Sequence, residues 1–273
     1  MPYTIQKLSL GGILDQATKI VKDHLVLFLT IMAITWLPFQ LLSLVTTIVF
    51  LPNISASPTR EEALAFLQAY RNVMPIILGV SLLAMVVSLP LTNAAIIYAV
   101  AEKYLGRPIS AIKAVQRSLG KIIPLILTGI LMFLAVMGGV ILCVVPGILF
   151  GLWFGLAQHV VVLEDLTGVA ALSRSKELVR PHLGQFLVLG LLVFIIAFLL
   201  GSGAAFVPQL HVRSAISILV NGVVTIFSTA VFVVFYFSCR CANDNFDLEH
   251  LAAAVDHTAA PPEAGEDPLF DER

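Results

Sequence analysis

Charge is scarce in this sequence, and the places where it is missing are its most informative feature. Asp, Glu, Lys and Arg make up 12% of the 273 residues, against about 25% in an ordinary soluble domain. Five long stretches hold none of them: 25–59, 72–101, 122–163, 181–212 and 214–239. A soluble core has no reason to gather its charges into short islands. A bilayer interior about 30 Å thick does, because it takes roughly 20 apolar residues per helical crossing. Cysteine is also scarce, at 3 residues, which excludes a disulfide-stapled fold. The ionisable groups that ion-coupled pumps normally place inside the membrane are missing as well. What is abundant is apolar surface: 59% of the residues are hydrophobic and mean hydropathy is +0.97. The chain reads as an all-α, multi-pass membrane protein.

Four of the stretches fit one helix each. The third, 122–163, would form a helix of about 63 Å, twice a bilayer. Val145-Pro146-Gly147 lies in its middle, and Pro-Gly is a turn signal. Cutting there gives six expected spans, at about 25–51, 73–101, 122–144, 148–164, 184–207 and 215–239. Charge supports the cut, since Lys and Arg collect in cytoplasmic loops. With six spans, one side holds 13 cations and the other holds Arg60, Arg71 and Arg213; five spans would give 9 against 7. The expected organisation is an N-terminal interfacial segment (1–24), a six-span domain (25–240) and an acidic tail (241–273). Both termini are expected in the cytoplasm and the location is the cell membrane. The first 24 residues lack the apolar core and cleavage site of a signal peptide. The tail reads as disordered from about 258.

The segments before spans 1, 3 and 5 share a pattern, with Leu14, Ile112 and Leu172 in register and Val21, Leu119 and Val179 likewise. In the second, Ile109, Ile112, Val115, Leu119 and Ile122 fall on one helical face. Either the unit is an interfacial amphipathic helix followed by two spans, used three times, or these are basic amphipathic loops that look alike because they set topology. Apolar faces would rest on the bilayer, and cations would meet lipid headgroups. Lys113, Arg117, Lys121, Lys176 and Arg180 are the candidate headgroup contacts. Each cation near an anionic surface is worth roughly 1 kcal/mol.

Several segments resemble a known family. LSLGGILDQATKI near the start, VVPGILFGLWFGLAQHVVVLEDLTGVAALSRSKELV in the middle and FYFSCRCANDNFDLEHL near the end are similar to the membrane domain associated with glycerophosphoryl diester phosphodiesterases. They also resemble related six-span bacterial membrane proteins. The matching positions are Pro146-Gly147, Glu164, Ala171-Leu172, Arg174-Ser175 and Leu178-Val179. Ser238 and Cys239 stand where that family has Asp and Leu. The resemblance implies a fold and a membrane location. Only 34 residues follow Cys239, so it is not expected to bring the phosphodiesterase activity with it.

The six His residues are scattered, and no His pair has ligand spacing with an acid between. No nucleophile elbow or phosphate loop appears, so no catalytic residue, metal or cofactor is expected. Cys239 and Cys241 cannot form a zinc site alone and read as free thiols. Asn93, Gln158, His159 and Asn221 are polar residues inside spans. They either line a polar cavity or hydrogen-bond between helices, and the second is the plainer reading. Glu164, Asp165 and Arg174 straddle a short turn and are the candidate structural salt bridge, fixing the interfacial helix to span 4. Pro38, Pro90 and Pro124 are expected to kink or start their helices.

Three functions follow. The leading one is a non-catalytic membrane protein that organises lipid, a protein partner or a second copy of itself at the cytoplasmic face, with no role for nucleic acid. The alternative is a small-molecule or lipid transporter with a polar cavity in the bundle. The third is an intramembrane enzyme without a recognisable motif.

Overall fold

The structure, a computed structural model, describes residues 6–50, 59–205 and 210–244. Among these it is all-α. Twelve α-helices follow one another: α1 (Leu10–Asp23), α2 (Leu25–Thr35), α3 (Leu37–Phe50), α4 (Arg60–Leu83), α5 (Leu89–Tyr104), α6 (Ala111–Leu119), α7 (Ile122–Leu142), α8 (Val144–Trp153), α9 (Ala157–Leu163), α10 (Gly168–Val179), α11 (Leu183–Ala205) and α12 (Leu210–Asp244). Five helical runs are long and apolar enough to cross a membrane. The bent pair α2–α3 makes a sixth when it counts as one span. The acidic tail beyond 244 and the Pro208-Gln209 connection lie outside the described residues.

Several boundaries differ from the sequence reading. The turn in the long third stretch falls at Cys143, whose backbone is extended (φ −171°, ψ 148°). Pro146 instead sits in the first turn of α8, where its missing N–H has no helical partner to lose. Gly147 is there for packing: an added Cβ would lie 2.8 Å from the Val140 backbone nitrogen. The reciprocal position, Gly139, would place a Cβ 2.9 Å from the Gly147 Cα. The α7–α8 hairpin therefore closes backbone on backbone. Span 4 accordingly starts at Val144.

Span 2, expected to start at about 73, starts earlier. It runs without interruption from Arg60 to Tyr104, 45 residues. Thr59 and Glu62 form a reciprocal capping box at its start, which fixes the first turn. A π-helical stretch, Ala84–Ser88, precedes Pro90 and absorbs the backbone mismatch that proline creates. There the Ser88 hydroxyl donates to the Thr35 carbonyl (2.8 Å), and Thr92 Oγ1 lies 2.9 Å from Thr35 Oγ1. Thr35 ends α2, which meets α3 at a 52° bend at Trp36. Pro38 lies in the first turn beyond that bend. Ser88 of the π stretch and Thr92 beyond it thus donate to Thr35 at the bend. The last helix begins at Leu210, so Leu210–Val212 are helical rather than loop, and it continues to Asp244.

The three segments with a shared pattern are helices α1, α6 and α10, all on the face that carries the basic loops. Their packing is not repeated. Aligned Ile112 is 62% exposed while Leu172 is 7% exposed. α6 turns Ala111, Ala114 and Ser118 to the protein, small residues that let it approach α5. Its larger Ile112 and Leu119 point outward. α1 buries Ile13, Ala17 and Ile20 completely. Ser238 Oγ accepts a bond from the Leu8 amide (2.8 Å), and the Gln185 side-chain amide donates to the Leu8 carbonyl (3.1 Å). The densest packing lies near this basic face. There Ala94–Ala101 of α5, Leu156 and Val160 beside and within α9, and Ile226–Cys239 of α12 form one cluster.

Candidate functional site

Two polar regions stand out, one at the basic face and one deeper in the bundle. The first is built on a broken helix. Span 4 loosens at Phe154-Gly155-Leu156 between α8 and α9, leaving backbone groups without their helical partners. Ser175 of α10 satisfies two of them. Its hydroxyl donates to the Trp153 carbonyl (2.8 Å) and accepts from the Leu156 amide (3.2 Å). Gly155 keeps the break open to α11, since a Cβ there would lie 2.3 Å from the Phe186 ring.

Arg174, the neighbour of Ser175, ties the same helix to two others. Its Nε donates to Glu164 Oε2 at 3.0 Å. Its Nη2 donates to Asp244 at the end of α12. Glu164 Oε1 in turn accepts from the Tyr236 hydroxyl at 2.7 Å, and Arg240 reaches Asp244 at 3.4 Å. Glu164 and Arg174 are largely covered, with side chains 15% and 22% exposed. Asp165 is not part of this network. Its backbone is left-handed (φ +58°), which turns its carboxylate away to pair with Lys121.

Beside the network is a cavity of about 390 Å³. Arg107, Arg117, Lys121 and Arg240 line it, and Glu102 and Asp165 are the carboxylates among its described lining residues. Tyr98 and Tyr236 add hydroxyls. Two of the pairings inside it are loose or exposed. Arg107 is 4.0 Å from Glu102 with its side chain 60% exposed, and Asp165 is 74% exposed. Arg117 lies over the Tyr98 ring at 4.5 Å, a cation–π contact that preserves its full charge. Of the other headgroup candidates, Lys176 sits over the Trp153 ring at 4.5 Å, while Lys113 and Arg180 are exposed on the same face.

The second region lies between α5, α9 and α12. A cavity of about 300 Å³ is lined by Asn93, Gln158 and His159 together with Thr225, Ser228 and Thr229. Asn221 stands outside it, exposed, with its carbonyl accepting from the Thr225 hydroxyl (2.8 Å). His159 is 7% exposed, and among the described residues neither ring nitrogen has a hydrogen-bond partner. From Leu89 to Ile97 the lining covers about 12 Å of α5, less than half a bilayer.

Sequence reasoning missed Tyr236, Arg240 and Asp244, which lie four residues apart on one face of α12. It also missed Thr225, Ser228 and Thr229, polar residues at helical spacing in an apolar span. In both cases i, i+3 and i, i+4 spacing of polar residues was the available signal. Among the described residues no three His, Cys, Asp or Glu side chains lie together as metal ligands would. Cys143 is exposed, and Cys239 and Cys241 are buried; all three are free thiols. Comparison with family models, with curated proteins and with solved structures finds no match to this chain. The resemblance noted above is therefore carried by its residues alone.

Proposed function

We propose that this chain is a non-catalytic protein of the cell membrane that holds anionic lipid at its cytoplasmic face. The observation that carries this reading is the basic cavity. Four cations and two tyrosine hydroxyls surround about 390 Å³, with Glu102 and Asp165 on the wall and Asp244 paired to Arg240. That volume equals roughly a dozen waters at about 30 Å³ each, room for a phosphate and its substituent. A phosphate oxygen is a better acceptor for Arg117 than an aromatic face, because charge-assisted bonds are the stronger ones. Exposed Lys113 and Arg180 add positive charge to the same face.

The test is lipid retention. The protein is reconstituted in nanodiscs of phosphatidylcholine containing one part in about five of phosphatidylglycerol. It is then released, and its bound lipids are counted by native mass spectrometry. Phosphatidylglycerol should be enriched over the bulk, and Arg117→Gln with Lys121→Gln should remove the enrichment. Equal enrichment in wild type and double variant contradicts the reading. Orientation is checked separately with a membrane-impermeant maleimide. Exposed Cys143 lies at the end of the bundle opposite the basic loops and should be labelled in intact cells. Labelling only after permeabilisation contradicts a cytoplasmic basic face.

A further inference from the structure

We infer that the cavity between α5, α9 and α12 is a binding site for a small uncharged molecule bearing hydroxyl groups. This site is independent of the lipid reading at the basic face. The lining decides the charge of the ligand. Among the described residues no Asp, Glu, Lys or Arg borders the cavity, so an ion would lose its hydration with no countercharge in return.

The lining also decides its polarity. His159 is a core residue in every other respect, yet both of its nitrogens lack partners among the described residues. A neutral imidazole presents one donor and one acceptor. An orphaned polar group in a membrane interior costs free energy unless something fills the place. Its ring is held by an edge contact with Phe232, centroids 6.4 Å apart. The residue borders the cavity with both nitrogens covered, so a guest meets them only when the ring turns about its side-chain bonds.

Two of the hydroxyls facing it are already committed as donors. Thr225 gives its proton to the Asn221 carbonyl (2.8 Å) and Ser228 to the Thr225 carbonyl (3.1 Å). They offer lone pairs to a guest. Asn93 and Gln158 offer amide N–H groups and carbonyl oxygens. A hydroxyl both donates and accepts from one atom, so a diol or polyol matches this set with the fewest groups left unpaired. Leu89, Ile97 and Phe232 supply apolar walls for its carbon skeleton. The cavity is not sealed, since Asn93, Gln158 and Thr225 are each partly exposed along their spans. The guest can therefore be the uncharged glyceryl end of a lipid or a free polyol.

Two probes separate these sources: 1-monooleoylglycerol from the bilayer and glycerol from water. Full-length protein carrying labelled histidine is placed in phosphatidylcholine nanodiscs, and the His159 ring resonance is followed by NMR. Its assignment comes from its loss in His159→Phe, or in His159→Gln should the first variant not fold. At least one probe should shift the resonance saturably. Asn93→Leu and Gln158→Leu should each raise the concentration needed by about tenfold. Response to glycerol alone supports the site and assigns an aqueous ligand; response to monooleoylglycerol alone supports it and assigns a lipid one. No saturable shift with either probe means the cavity holds water only and overturns the proposal. A shift that Asn93→Leu and Gln158→Leu leave unchanged overturns it too.

Discussion

The two polar regions of this protein are built from similar materials and treated in opposite ways. At the basic face Glu164, Arg174, Tyr236 and Asp244 are joined by hydrogen bonds across α10, α12 and the end of α9. A turn or two deeper, His159 shares α9 with the approach to Glu164 but has no partner among the described residues. Polar groups removed from water stabilise a fold only when paired, and cost free energy when they are not. The first region is therefore a clasp. It closes the bundle where span 4 is broken and where α10 must dock. The imidazole of the second region contributes nothing to closure as it stands, which is why its polar lining points to a ligand.

The largest effect should come from opening the clasp. Arg174→Ala leaves Glu164 without its cation and Asp244 with Arg240 alone. The loss should be about 2–3 kcal/mol, measured as the midpoint of unfolding in mixed micelles. An unchanged midpoint would mean that α10 docks by apolar contact alone. Charge reversal sharpens the point. Exchanging Glu164 and Arg174 would restore a simple pair, yet it sets a carboxylate at position 174 against Asp244. The exchange should recover only part of the loss. Tyr236→Phe removes one bond to Glu164 and should cost about 1 kcal/mol. Lys121→Gln breaks a pair whose carboxylate is mostly exposed. It should change stability by less than about 0.5 kcal/mol, so that any loss of lipid retention in that variant reports binding rather than folding.

Much of the architecture was legible because the membrane imposes it. Uncharged runs of bilayer length fix where helices cross, and the positive loops gather on one face. The helix ends were harder. Pro146-Gly147 signalled a turn, but proline suits the first turn of a helix equally well, and the chain turns at Cys143 instead. The sequence pattern divides the Arg60–Tyr104 helix because its first turns carry charge. Backbone hydrogen bonding does not stop at the edge of the bilayer, and the Thr59 cap carries the helix outward. The pairing of Glu164 with Arg174 was legible from their placement across a short turn. The diversion of Asp165 to Lys121 was not, because it depends on a left-handed backbone that the sequence does not announce. Asn93, Gln158 and His159 could be picked out as polar residues in apolar spans. Their meeting in one cavity depends on which helices are neighbours, a matter of tertiary packing that local patterns do not carry.

The contrast between a clasp and an open site is tested most directly by one side-by-side comparison of unfolding midpoints in delipidated protein. Ser175→Ala removes a side chain that satisfies the Trp153 carbonyl and the Leu156 amide. It should lose about 2 kcal/mol. His159→Leu replaces an unpartnered imidazole with an apolar group of similar size. It should fall within about 1 kcal/mol of wild type, or above it. A large loss in His159→Leu with little change in Ser175→Ala would contradict the account.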